Sequence, residues 1–332
     1  MRIVATGAHL TYPHANGFHG DRLLLARYEA GRGATAVISV GLDGQDERLV
    51  AAIAPRRDGV VSPAYPAVAE ETGRAAWIWD DVLYIADEPG EAEIVYTAAH
   101  LQDVCAITRD GGSVVVVRET GARWIFLRVD LVTGAATELF TRDWQANHPH
   151  HSPFDESWLA YAHEGPALEI PDRVWAWHDG GHVQVLDQAA ISADPGAFVA
   201  VGHERWLHHD LGAAVVAYGD SAAGPRGLYF AHPDGRPPRL VAAGERLWHC
   251  DVSRDGRWAV ADTTGPADRP GRGWQDAGGV SDVQLIEVAT GHQARLARTT
   301  ATRHPDHPHP IFSPAGDEVL FNHQGSVAAV AL

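Results

Sequence analysis

CDVSRDGRWAVAD (250–262) is the unit from which the rest of the chain can be read. It runs as a short strand, a Ser, a tight turn containing Asp and Gly, and a second apolar strand, because alternating apolar residues flank a turn of the kind Asp-Gly favours. The pattern returns at CAITRDGGSVVVV (105–117), HHSPFDESWLAYA (150–162) and IFSPAGDEVLFNH (311–323). Another strand and a Thr-Gly turn follow, as in VDLVTGAATEL and IEVATGHQARL, and weaker copies begin near Asn16, Ser62 and Trp206. Units of about 45 residues fill the chain seven times over, which is the period of a propeller blade. A lone four-stranded sheet cannot bury its faces, so such units must stack on their neighbours. The expected fold is all-β: a seven-bladed β-propeller with a metal site at one mouth of its central channel. It is read as a single domain over residues 1–332, with Met1–Thr6 and Ser326–Leu332 sharing the closing blade.

Composition narrows the function. No apolar run approaches the roughly 18 residues that cross a bilayer, and the opening MRIVATGAHL has no apolar leader region. The two cysteines, Cys105 and Cys250, stand at one register of blades three and six, which predicts buried thiols too far apart to bridge and a cytoplasmic home. Lys and Arg number 26 against 43 Asp and Glu, a net charge of −17. That balance disfavours nucleic acid and anionic membranes. A small anion remains an acceptable ligand where one site concentrates positive charge. Gly-x-Ser-x-Gly elbows, P-loops and dinucleotide fingerprints do not occur.

The twenty histidines carry the chemical signal. Counting back four residues from the Ser before each turn gives His148, His249 and His309, and the same offset in the weaker copies gives His14 and His203. Five of seven repeats therefore place an imidazole at one position of the innermost strand. His307 and His309 lie two apart at a strand entrance, so both can reach one ion if the backbone turns between them. His249 from the preceding blade completes three neutral nitrogen ligands, and His304 is a candidate fourth. Imidazole ligands suit Mn, Fe, Co, Ni, Cu and Zn, so the ligand type alone does not choose the metal. Mn²⁺ is the expectation taken, with Zn²⁺, Fe²⁺ or Ni²⁺ kept open as alternatives. HPDHPHP (304–310) also reads as a solvated loop stiffened by proline, and isolated histidines such as His178 and His182 read as surface or core residues.

The stretch NHPHHSPFD…AHEGPALEIPDRVWAWHDGG (147–181), followed by VGHERW (201–206), LWHCDVSRDG (247–256) and RHPDHPHPIFSPAGDEVLF (303–321), resembles the oligogalacturonate lyases. These are seven-bladed propellers with a central metal. The likeness covers about residues 140–325; HEGP followed by DRVW is its specific part, and the Ser-Pro-Asp-Gly turns are generic. It implies β-elimination on short uronate oligomers. In that family pattern His249, His307 and His309 match metal ligands, His203 the general base and Arg173 the arginine on the substrate carboxylate. Arg303 and His304 stand where the family has Arg-Gln, Ala167 where a Trp often follows HEGP, and Arg205 displaces the aromatic after GHE. His148, His163, His14 and Arg303 are the remaining candidates for contact with substrate.

The chemistry suits the inventory. Removing the proton α to a carboxylate builds charge that a metal and an arginine stabilise, and a histidine with an unperturbed pKa of about 6.5 is a usable base. Two other classes stay open: a different metal-dependent lyase or isomerase acting α to a carboxylate, and a non-catalytic propeller that binds a partner. The ligand expected under the enzyme readings is a small anionic saccharide or other small carboxylate, with neither nucleic acid nor membrane as partner.

Overall fold

The computed structural model describes residues 1–87, 91–300 and 306–332. Among these the chain is strands and turns, without a helix. The strands form seven sheets of sequential antiparallel meanders, the strand pattern of a seven-bladed β-propeller. The four strong repeats are the first two strands of the third, fourth, sixth and seventh sheets, and Asn16, Ser62 and Trp206 mark the first, second and fifth. Six sheets have four strands, and the first adds a short fifth, Phe18–His19. Strand Arg2–Thr6 lies beside Ser326–Ala331 in the last sheet.

The turn chemistry explains the repeat. Ser253 Oγ donates to Asp255 Oδ1 at 2.7 Å and accepts the Trp258 N–H at 3.0 Å, closing the hairpin between its two strands. Thr108 with Asp110 and Ser313 with Asp317 do the same in their own hairpins. The second strand of each pair has a buried apolar middle, as in Val114–Val117 and Val319–Phe321. Cys105 and Cys250 are both free and buried, and burial pushes the Cys105 thiol up to about 12.

The backbone divides into two compact units: residues 3–151 with 325–327, and residues 152–324 with the terminal residues 1–2 and 328–332. In the first unit His9 is 3% exposed, with Nδ1 donating to the Leu10 carbonyl at 2.8 Å and the rings of Tyr28 and Tyr65 set edge-on, each 6.1 Å away. Burial lowers its pKa from 6.5 to about 4. A folded-state pKa below the unfolded value means the stability is whole above pH 6.5 and drains away as pH falls toward 4. The expected loss between pH 7.5 and pH 5 is about 2 kcal/mol from this residue alone. Urea unfolding at both pH values checks it: His9→Phe is expected to lose that much of the wild type's pH dependence, and an unchanged dependence would refute the assignment.

Candidate metal centre and active site

The hairpin register builds the first element of the site. Strand Leu247–Val252 pairs with Trp258–Thr263, Leu247 opposite Thr263 and Cys250 opposite Ala261, so a bulge holds Trp248 and His249 across from Asp262. Bulges re-aim side chains, and this one brings His249 and Asp262 together. His249 Nδ1 donates to Asp262 Oδ2 at 2.8 Å, and the His249 backbone N–H donates to Oδ1 at 2.7 Å. The His309 N–H also donates to Oδ2, at 3.1 Å. Burial pushes the Asp262 carboxyl up to about 6, opposed by these N–H donors and the imidazoles of His307 and His203.

His307 and His309 precede strand Ile311–Phe312. Asn322, 2% exposed, fixes their segment by donating its backbone N–H to the Pro308 carbonyl at 2.7 Å and its side-chain amide to the His307 carbonyl at 2.8 Å. His309 takes a left-handed φ of 42°, the turn between the two histidines that lets both rings face one point. His249, His307 and His309 are all buried, and each offers a ligand atom within 4.8 Å of the others'. Three convergent imidazoles, one backed by a carboxylate that fixes its proton on Nδ1 and leaves Nε2 for a ligand bond, fit a divalent transition ion.

His203 lies beside this trio, its ring centroid 4.1 Å from that of His249. Its strand, Val201–Trp206, bulges between Gly202 and Arg205, and His203 sits at a left-handed φ of 51°. A non-glycine residue in that region costs on the order of 1–3 kcal/mol and persists where its surroundings dictate it. Here the Trp248 carbonyl accepts the His203 Nδ1–H at 2.9 Å, and the Cys250 thiol donates to the His203 carbonyl at 3.4 Å. With the proton on Nδ1, Nε2 is the basic nitrogen. Asp251, 4% exposed, accepts Arg205 Nε at 2.9 Å and the Phe312 N–H at 2.8 Å, so one carboxylate ties the fifth, sixth and seventh sheets together.

Arg173 enters from the fourth sheet and is 6% exposed. The buried Gln188 holds its backbone, accepting the Arg173 N–H at 2.6 Å and donating to the carbonyls of Ile170 and Val199. Glu164, the Glu of HEGP, receives Nη2 on both oxygens at 2.8 and 2.9 Å, and Nη1 donates to the His163 carbonyl at 3.3 Å. Burial opposes the Arg173 charge, but Tyr218, Glu164 and Glu204 together hold its pKa above the usual value. Among the described residues the buried Nε has no hydrogen-bond acceptor, and Nη1 has one hydrogen beyond its bond to His163. Residue 202 must be glycine: a Cβ there would run into the Tyr218 hydroxyl and lie 2.9 Å from Arg173 Nε. Tyr218 in turn meets the His203 ring edge-on at 5.5 Å.

The other expected residues are placed as follows. His163 pairs through Nδ1 with Asp172 at 2.8 Å, next to Arg173. His14 and His148 belong to the first compact unit, 5.1 Å apart, with His14 stacked on His150 at 4.6 Å. His14 lies in a turn and not on an inner strand. Arg303 and His304 fall outside the described residues. Asp262, Glu164, Gln188, Asn322, Tyr218 and Trp248 were not singled out from the sequence. Asp262 had a signal: pairing 250 with 261 across the Asp-Gly turn puts 262 opposite the histidine.

A sequence profile described as oligogalacturonate lyase matches residues 118–330, more than half of the chain. The chain belongs to the oligogalacturonate lyase family. The oligogalacturonate lyase of Dickeya dadantii (strain 3937) is 26% identical over 204 residues, 59% of this chain and 51% of that protein. The chain thus spans about half the length of the curated relatives it matches. Among solved structures, an oligogalacturonate lyase in complex with manganese aligns with a TM-score of 0.77 at 20% identity, covering 98% of this chain and 90% of that one. The oligogalacturonate lyase of Vibrio parahaemolyticus aligns at 0.74 with 19% identity and the same coverages. At such identities the alignments show the fold, the family's seven-bladed propeller. The profile contains every residue built into the site above, from Glu164 to Asn322.

Proposed function

We propose that this chain is a metal-dependent lyase that cleaves short uronate oligosaccharides by β-elimination, with Mn²⁺ as its ion. The carrying observation is the join between two groups: three buried imidazoles whose nitrogens converge within 4.8 Å, and a fourth imidazole, His203, whose ring is 4.1 Å from one of them. Family membership supports the substrate class, and the solved relative in complex with manganese supports the ion.

His249, His307 and His309 hold the ion, with Asp262 orienting His249. When bound, a divalent ion supplies Lewis-acid polarisation of the substrate carboxylate. Arg173, already oriented by Glu164 and Gln188, pairs through its remaining N–H groups with the same carboxylate and spreads the charge that develops on it. His203 Nε2 takes the C5 proton, its Nδ1–H held by the Trp248 carbonyl so that the ring cannot turn. The C5–H electron pair forms the C4–C5 double bond as the C4–O4 bond breaks, and O4 leaves with a proton from water or from His163, which Asp172 orients. Two buried free thiols, and no helix among the described residues long and apolar enough to cross a membrane, support the further proposal of a cytoplasmic enzyme.

Incubating the purified chain and Mn²⁺ with saturated digalacturonate is expected to give the absorbance band of a 4,5-unsaturated uronate and a product of matching mass. An inert digalacturonate alongside a cleaved mannuronate or glucuronate dimer would shift the reading to another lyase. No reaction with any uronate dimer would overturn it.

A further inference from the structure

The connection between strands Trp258–Thr263 and Ser281–Glu287 is a long loop, residues 264–280, rich in Gly, Pro and charge. Such a composition has little means of folding by its own apolar contacts. Buried polar side chains hold it instead, and Arg246, 5% exposed, makes the most contacts of them with its backbone. Arg246 donates to the carbonyls of Thr264 at 2.6 Å, Pro270 at 3.0 Å and Arg269 at 3.3 Å, and to Asp276 Oδ1 at 2.9 Å. A second buried anchor, Asp282, accepts the Ala267 N–H at 2.8 Å. Gly273, at a left-handed φ of 58°, lies so close to Asp220 that any Cβ would strike that carboxylate, which seats the loop against the turn after Tyr218.

The residue thus fixed is Trp274, half-buried in the described structure. Its ring lies 5.1 Å from His307 at 30° and meets Trp248, also half-buried, nearly edge-on at 5.5 Å. Trp248 lies 4.5 Å from Tyr218 at 30° and gives its carbonyl to His203. An aromatic wall therefore runs from the ligand candidate His307 to the base candidate His203. An indole held in place with part of its surface open offers a rigid apolar face at little cost in conformational entropy.

We propose that Trp274, with Trp248 at its edge, is the platform for a second pyranose ring of the uronate chain. The inference rests on the uronate lyase reading above. The first ring is fixed through its carboxylate at the histidines and Arg173. The indole begins a ring's breadth beyond His307, where the next sugar of the chain presents its C–H face. The platform makes the site prefer an oligomer to a monomer.

Calorimetric titration of saturated digalacturonate and of galacturonate monomer, with Mn²⁺ present and in a His203→Ala background that leaves the dimer uncleaved, tests this. Trp274→Ala is expected to weaken the dimer about tenfold and the monomer less than twofold, with bound metal unchanged; Trp274→Phe is expected to recover most of the dimer affinity. Undiminished dimer binding in Trp274→Ala, equal weakening of dimer and monomer, or loss of metal would each overturn the platform while leaving the lyase reading in place. A His203→Ala parent that binds neither sugar would overturn both.

Discussion

Replacing His249 with alanine is expected to cost the chain its bound metal and, with it, turnover. His249 is the most firmly held of the three proposed ligands: it is 2% exposed, its Nδ1 proton is committed to Asp262, and its backbone N–H donates to the same carboxylate. A ligand so held brings Nε2 to the ion without ordering cost at the moment of binding. Losing it leaves two imidazoles, too few for a stable site of this kind. We expect metal affinity to fall at least a hundredfold, measured as metal retained after dialysis against a weak chelator. Asp262→Asn tests the carboxylate separately. Its amide can accept the imidazole proton but carries no charge, and loss of such an outer partner typically costs 10–100-fold in metal affinity. His249→Ala protein that folds and keeps a full equivalent of metal would place the site elsewhere.

The second large effect is expected at His203, and it should separate cleanly from the first. His203→Ala is predicted to lower kcat by about 10²–10⁴-fold, the usual contribution of a positioned acid–base group, while metal content stays at the wild-type level. The prediction is demanding because the His203 and His249 rings are only 4.1 Å apart. If the chain used His203 as a further ligand, both variants would lose metal together, and the division of labour would fail. His203→Asn is the useful companion, because Asn tolerates the left-handed backbone at this position. It keeps the bulge without supplying a base, so it should fold as wild type and remain as inactive as the alanine variant.

The fold was legible in the sequence because each hairpin advertises itself locally. A Ser or Thr closing on an Asp or Gly turn, as at Ser253 and Asp255, is a short-range arrangement, and it recurs in the first hairpins of the third, sixth and seventh sheets. The histidine trio was legible for a related reason: register in the repeat carries His249 and His309 to equivalent places. What could not be read was whatever depends on a departure from register. The bulges at His203 and His249 appear only as pairing shifts. His14, chosen by the same count, lies in a turn, because the first sheet starts with strands Ala8–Leu10 and Phe18–His19 on either side of it. The hold of Arg246 on its loop runs mainly to backbone carbonyls, which have no residue signature, so Trp274 looked like any other tryptophan in a glycine-rich stretch.

Asp251 bears on how this region comes apart. Repeat architectures couple each unit mainly to its neighbour and can peel from one side. Asp251 sits in the sixth sheet and engages Arg205 of the fifth and Phe312 of the seventh through a single carboxylate. Removing the fifth sheet leaves the buried Asp251 without its Arg205 partner, and removing the sixth leaves Arg205 without Asp251, each far costlier than exposing a little apolar surface. Removing the seventh takes the Phe312 N–H from the same carboxylate. Partial unravelling is thereby penalised, and the three sheets that carry His203, His249, His307 and His309 are expected to melt together. An ion seated among those histidines would then protect the whole block, and its departure would be felt as a loss of cooperativity well beyond the atoms that touch it.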